Sequence, residues 1–149
     1  MAHNQDWREW LESLNASDAD FIVVGGIALA HHGIVRYTGD LDVFVRPSPD
    51  NAERVIAALR RFGFGSLNVT PGDLAVPDRV IQLGFPPSRI DLLTAIDGVS
   101  WDQASMNAEV GEYAGIRARF ISRADLILNK RATGRVQDRA DADRLDGIE

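Results

Sequence analysis

Cysteine is absent from the 149-residue chain, which excludes a disulfide framework, a thiolate zinc site and a cysteine nucleophile. Long apolar runs are absent too: the best, residues 21–30, is too short to span a bilayer. The first six residues, Met1-Ala2-His3-Asn4-Gln5-Asp6, lack a basic stretch followed by an apolar one, so no membrane association and cytoplasmic residence are the expectations. Overall basicity is missing, since the formal net charge of −6 excludes a protein that coats nucleic acid through its total charge. Internal repeats, low-complexity tracts and a dividing linker are also missing, and 45% hydrophobic with 26% charged residues suits a folded protein. One domain over residues 1–149 is therefore expected.

What is present reads as alternating helices and strands. Trp7, Trp10, Leu11 and Leu14 share one helical face and predict a first helix, with its tryptophans as core or interface anchors. Phe21-Ile22-Val23-Val24 predicts a strand ending at a Gly25-Gly26 turn, followed by a short helix from Ile27 that Gly33 stops. Residues 40–45 predict a second strand, closed by Pro47 and Pro49. Val55, Ile56, Leu59 and Phe62 line one face of a helix over residues 51–62, with Ser48 or Asp50 as its N-cap and Gly63 as its stop. Residues 80–85 and 89–94, separated by Pro86-Pro87-Ser88, predict a hairpin. Between these, residues 65–78 predict a mobile loop with a short strand near Leu67-Asn68-Val69. A strand over 116–121, a helix opened by Ser122 and running through Lys130, and a last helix over 137–145 complete the layout.

Residues two apart on a strand project from the same face, so Asp40 and Asp42 present their carboxylates side by side while Leu41 and Val43 enter the opposite face. Two such acids repel unless a divalent ion neutralises them, and magnesium suits oxygen ligands. Taken alone, an Asp-x-Asp is also common in turns and on exposed strand faces. Asp91 is the expected third ligand because an acid inside an apolar strand needs a partner; Arg89, two residues earlier, is the alternative one. Three acids suffice as the scaffold for two metals roughly 3.5 to 4 Å apart that clamp the attacking and leaving oxygens of a phosphoryl or nucleotidyl transfer. Gly25-Gly26 at a strand-to-helix junction would let backbone approach a triphosphate near a helix N-terminus.

The order Gly25-Gly26, thirteen residues, Asp40-Leu41-Asp42, then a strand bearing Asp91, resembles the nucleotidyltransferase superfamily related to DNA polymerase beta. The segment from Gly25 through Arg36-Tyr37-Thr38-Gly39-Asp40 looks most like small bacterial members, including antibiotic nucleotidyltransferases and the abortive-infection type toxins. The resemblance implies an α+β fold: a nucleotidyltransferase-like mixed sheet with flanking helices, a catalytic core over about residues 18–96, and a C-terminal strand and helices over about 100–149. It implies that Asp40 and Asp42 bind two Mg2+ ions, and that Asp91 binds the catalytic one and helps deprotonate an acceptor hydroxyl. Many relatives carry Gly-Ser at the junction, where the serine contacts the triphosphate; Gly26 departs from that pattern, which implies either lower phosphate affinity or a contact supplied by Arg36 or another basic residue. Lys130 and Asp138 are similar in placement to the lysine and aspartate that complete the nucleotide site of the toxin-type enzymes.

Several of these residues read two ways. Lys130 with Asp138 is either a preorganised charge facing the triphosphate or a solvated helix-face ion pair. Arg36 and Thr38 either aim at the nucleotide phosphates or pair with the strand acids. His31 and His32 read as ordinary residues at a helix end. Residues 117–144 carry eight cationic side chains against four aspartates, a net charge of +4, which tilts the acceptor toward RNA, with protein side chains and small molecules as the other classes. Two functions follow: a magnesium-dependent enzyme moving a nucleoside monophosphate from a nucleoside triphosphate to an acceptor hydroxyl with release of pyrophosphate, or a catalytically weak or inactive nucleotidyltransferase-like binding module acting as a toxin–antitoxin partner.

Overall fold

The computed structural model describes residues 3–63 and 68–147. Helix α1 (Gln5–Ala16) starts where the Asn4 side chain accepts from the Trp7 N–H at 3.1 Å, and it buries Trp7, Trp10, Leu11 and Leu14. Strand β1 (Phe21–Val24) runs straight into helix α2 (Gly25–His31), and strand β2 (Asp40–Val45) returns antiparallel to β1. Helix α3 (Pro49–Phe62) is capped by the Ser48 side chain, has Pro49 in its first turn, and stops at Gly63 with φ +101°, the left-handed geometry that glycine adopts without penalty. Strands β3 (Val80–Leu83) and β4 (Arg89–Leu93) form the expected hairpin, and β4 lies parallel to β2.

The expected loop over residues 65–78 is corrected in part. Residues 71–74 form a short helix, α4 (Pro71–Leu74), because Thr70 and Asp73 cap each other reciprocally and Leu74 is fully buried. Of the strand expected near Leu67, Asn68 and Val69 belong to no strand, and residues 65–67 lie outside the described residues. Two further elements escaped the sequence reading: helix α5 (Trp101–Asn107), and strand β5 (Glu109–Tyr113), which pairs antiparallel with strand β6 (Ile116–Phe120). Helices α6 (Arg123–Ala132) and α7 (Val136–Asp146) close the chain, and none of the described helices is long and apolar enough to cross a membrane.

The six strands form one mixed sheet in the order β3-β4-β2-β1-β6-β5, with helices on both faces. One face, carrying Val23, Leu41, Val43, Ile90 and Leu92, is covered by α1, α3 and α4. The other carries Ile22, Val24 and Phe44 beneath α2, α5, α6 and α7. The period-two alternation of β2 thus drives Leu41, Val43 and Val45 into the first core and leaves Asp40 and Asp42 on the second face. Burial of each such aliphatic side chain contributes about 1.5–3 kcal/mol. A one-residue slip of β2 would forfeit that and bury the acids instead.

Candidate active site

The parallel register of β2 with β4 sets Asp42 opposite Asp91 and Asp40 opposite Arg89. Four side chains therefore form a square on one face of the sheet, three anionic and one cationic. Ligating oxygens of Asp40, Asp42 and Asp91 lie within 4.8 Å of one another. The Arg89 guanidinium donates from Nη2 to Asp40 Oδ2 at 2.8 Å and to Asp91 Oδ2 at 3.2 Å. Its Nε stands 3.1 Å from Asp91 Oδ1 but is not aligned for a hydrogen bond, so both buried atoms lack a hydrogen-bond partner among the described residues. Burial, then the neighbouring charges of Asp40 and Asp91, push the Asp42 carboxyl up to about 7. Asp91 is also raised by burial and by Asp40, with Arg89 opposing. An all-oxygen donor set, crowded and under-neutralised, with one buried carboxylate oxygen left unbonded, fits a hard divalent cation.

The glycine pair is a junction rather than the expected turn: α2 opens at Gly25 itself, with Val24 as its N-cap residue and no side-chain cap. Gly25 has φ +65°, and a Cβ there would lie 2.1 Å from Asp42 Oδ2. No other residue type leaves the carboxylate that room. A Cβ on Gly26 would come within 3.0 Å of Thr38 Oγ1, so the Thr38 hydroxyl takes up space that a serine at position 26 would need. That hydroxyl lies 3.0 Å from the Asp40 carbonyl and 3.1 Å from Asp40 Oδ1, which ties the loop before β2 to the first acid.

Gly25, Gly26 and Asp42 line a cavity of about 420 Å³ whose far wall is Lys130, Arg135 and Asp138. Lys130 is only 9% exposed, and its Nζ lies 3.3 Å from Asp138 Oδ1 and 3.1 Å from Asp141 Oδ2. The pairing of Lys130 with Asp138 is thus present, buried rather than solvated, and shared with a residue the sequence reading missed. Burial works to raise Asp138, but hydrogen bonds from Thr133 and Lys130 and the charge of Arg135 outweigh it and hold the carboxyl below its ordinary range. Asp141, 1% exposed, is likewise lowered against its burial by Arg36, Lys130 and Gln137. The signal for Asp141 was weak: an acid three residues after Asp138 on the same helix turn.

Arg36 does not project with Asp40, because β2 begins at Asp40 and the guanidinium instead pairs with Asp141 of α7. It lines a second, largely apolar cavity of about 600 Å³ with Trp7, Tyr37, Thr38 and Tyr113, on the other side of Gly26. Of the basic stretch, Lys130 and Arg135 reach the first cavity, whereas Arg119 pairs with Asp20 at 3.4 Å and Arg131 with Asp146 at 3.2 Å. His31 lies 3.2 Å from Glu109 and His32 2.7 Å from the Ile121 carbonyl, away from the acids. The tryptophans serve as anchors: Trp7 and Trp10 are buried, and Trp101 meets Phe44 edge-on at 5.1 Å.

The mixed sheet thus carries two aspartates on one strand, a third acid on its parallel neighbour and a glycine-opened helix beside them. The family described as nucleotidyl transferase AbiEii toxin, of type IV toxin–antitoxin systems, matches residues 10–137, and the chain belongs to that family. No curated protein matches the chain.

Proposed function

We propose that the protein transfers a nucleoside monophosphate from a nucleoside triphosphate to an acceptor hydroxyl, with Mg2+ held by Asp40, Asp42 and Asp91. The observation that carries this reading is the β2–β4 register, which sets Asp42, itself in the lining of a cavity walled by Lys130, against Asp91 with Asp40 close by. The bound ions would supply charge neutralisation and Lewis acidity at the reacting phosphate.

The chain's own groups have separate roles. Gly25 and Gly26 leave backbone open on the cavity side, and Lys130, held by Asp138 and Asp141, offers a fixed positive charge to the triphosphate. Thr38 braces Asp40 and stands 3.0 Å from where a Cβ at position 26 would be, which favours glycine there. The acceptor oxygen bonds to the α-phosphorus as the bond to pyrophosphate breaks, and the acceptor proton passes to Asp91, whose affinity for a proton is raised by burial and by Asp40. Membership of a toxin family supports an antitoxin as the protein partner.

The test is transfer of label from each α-labelled triphosphate, with magnesium, to total RNA, candidate proteins and small hydroxylated acceptors. Wild type is expected to label one class and release pyrophosphate, and Asp40→Asn to lose at least 100-fold of that rate, about 2.7 kcal/mol of transition-state stabilisation. Equal labelling by wild type and Asp40→Asn, or magnesium-independent triphosphate binding by both, would overturn the reading.

A further inference from the structure

We propose that the Arg89 guanidinium is a built-in counter-ion: it occupies the cation position of the three-aspartate cluster in the metal-free protein, and must release Asp91 before a divalent ion can enter. The inference rests on the proposed reading of Asp40, Asp42 and Asp91 as metal ligands and assigns a role to a residue outside that set.

Four observations converge on it. Arg89 is directly opposite Asp40 in the register and two residues before Asp91 on the same face, so the strand pairing itself delivers its head into the cluster. The guanidinium bridges both acids through a single nitrogen, from Nη2 to Asp40 Oδ2 at 2.8 Å and to Asp91 Oδ2 at 3.2 Å, so one cationic atom sits between two of the three carboxylates. Its grip on the second Asp91 oxygen is poor: Nε is 3.1 Å from Oδ1 without hydrogen-bond alignment, leaving a donor and an acceptor buried and unsatisfied. A partner that neutralises a site while leaving its buried oxygen unbonded is one that a better-fitting ligand displaces. Finally, the Arg89 side chain is 30% exposed against 9% for that of Asp91, so the cation has a route to solvent that the carboxylate does not.

Charge explains why the cluster needs such a residue. Three carboxylates within 4.8 Å would repel one another in the empty site, and one guanidinium offsets part of that repulsion without adding bulk between the strands. Ion entry then exchanges one cation for another, and the affinity measured for the ion is its intrinsic affinity reduced by the work of moving Arg89. Trp7 holds the neighbouring backbone still during that exchange, since its Nε1 donates to the Arg89 carbonyl at 3.2 Å, so that only the side chain needs to move.

The test uses Mn2+ as the probe, titrated without nucleotide into the full-length protein and followed by the electron paramagnetic resonance signal of free ion, with the melting temperature of the metal-free protein measured in parallel at pH 8. Arg89→Gln is expected to bind Mn2+ at least tenfold more tightly than wild type and to melt lower without metal, the deficit closing as Mn2+ saturates. Arg89→Lys, which keeps the charge on a shorter side chain that reaches the two acids less fully, should fall between the two and covers the case in which Arg89→Gln fails to fold. Arg89→Gln combined with Asp91→Asn should lose the gain. Unchanged or weaker Mn2+ binding by both variants, alongside wild-type binding that Asp42→Asn abolishes, would overturn the role of Arg89 and leave the metal site standing. Absence of Mn2+ binding in wild type and variants alike would overturn both.

Discussion

At Asp42 two demands meet on one side chain. Its carboxyl is raised to about 7 by burial and by Asp40 and Asp91, with the charge of Arg89 opposing. A folded-state value above that of the unfolded chain, near 4, means that the folded protein binds the proton more tightly. The stabilisation is therefore fully present below about pH 4 and is lost as pH rises through about 7. In metal-free buffer, wild type is expected to melt progressively lower from pH 5 to pH 8. Asp42→Asn should flatten that slope and be the more stable protein at pH 8 by roughly 2–4 kcal/mol, because each tenfold gain in proton affinity on folding corresponds to about 1.36 kcal/mol; calorimetric melts across the range, with chelator present, measure it. Gly25 is the other half of the arrangement, since only a residue without Cβ fits 2.1 Å from Asp42 Oδ2. Asp42 and Gly25 were both legible in the sequence as residue types. Their contact was not, because it depends on β1 and β2 pairing so that Val24 lies opposite Asp42.

Among the elements, those with a strong apolar period were readable and those without one were not. Helix α1 buries four residues at helical spacing, and α3 combines a capping serine, a first-turn proline and a terminal glycine. Strand β5 sits at the sheet edge with no buried residue, and α5 buries only Ala104, so neither leaves a pattern to read. The two tryptophans of α1 separate anchoring from hydrogen bonding. Trp10 is fully buried with its Nε1 unbonded among the described residues, whereas the Trp7 Nε1 donates to the Arg89 carbonyl. Trp10→Ala should cost about 3–5 kcal/mol through the cavity it leaves. Trp10→Phe should recover most of that, since no hydrogen bond is lost. Trp7→Phe should cost about 1 kcal/mol for its bond to β4. Urea denaturation of the three variants gives the ordering, and Trp10→Phe costing more than Trp7→Phe would contradict it.

Across the molecule as a whole, the acids arise from one half of the sheet and the basic wall from the C-terminal helices, so the cavity exists only when α6 and α7 are docked on the β1–β2 face. Asp141 ties that docking to the loop before β2 through Lys130 and Arg36. A ligand that binds only the folded cluster stabilises the entire chain by mass action, about 2.7 kcal/mol at one hundred times its dissociation constant. With about 2–4 °C per kcal/mol for a protein of this size, Mg2+ at that excess should raise the melting temperature by about 5–10 °C. Asp91→Asn should remove most of the rise while remaining folded, and an equal rise in both proteins would mean that the ion acts elsewhere.

Most element types, the face on which Asp40 and Asp42 stand, and the resemblance that family membership bears out were all written in the order of residues alone. Those features are local: a period of two or 3.6, a cap, a glycine, a spacing of thirteen residues. That Asp91 faces Asp42, that Arg89 bridges Asp40 and Asp91, and that Arg36 turns away to Asp141 emerged only with the folded chain. Asp42 and Asp91 are far apart along the chain, and their meeting depends on strand order and register. Burial of the apolar faces sets those for the sheet as a whole, and no local spacing records them.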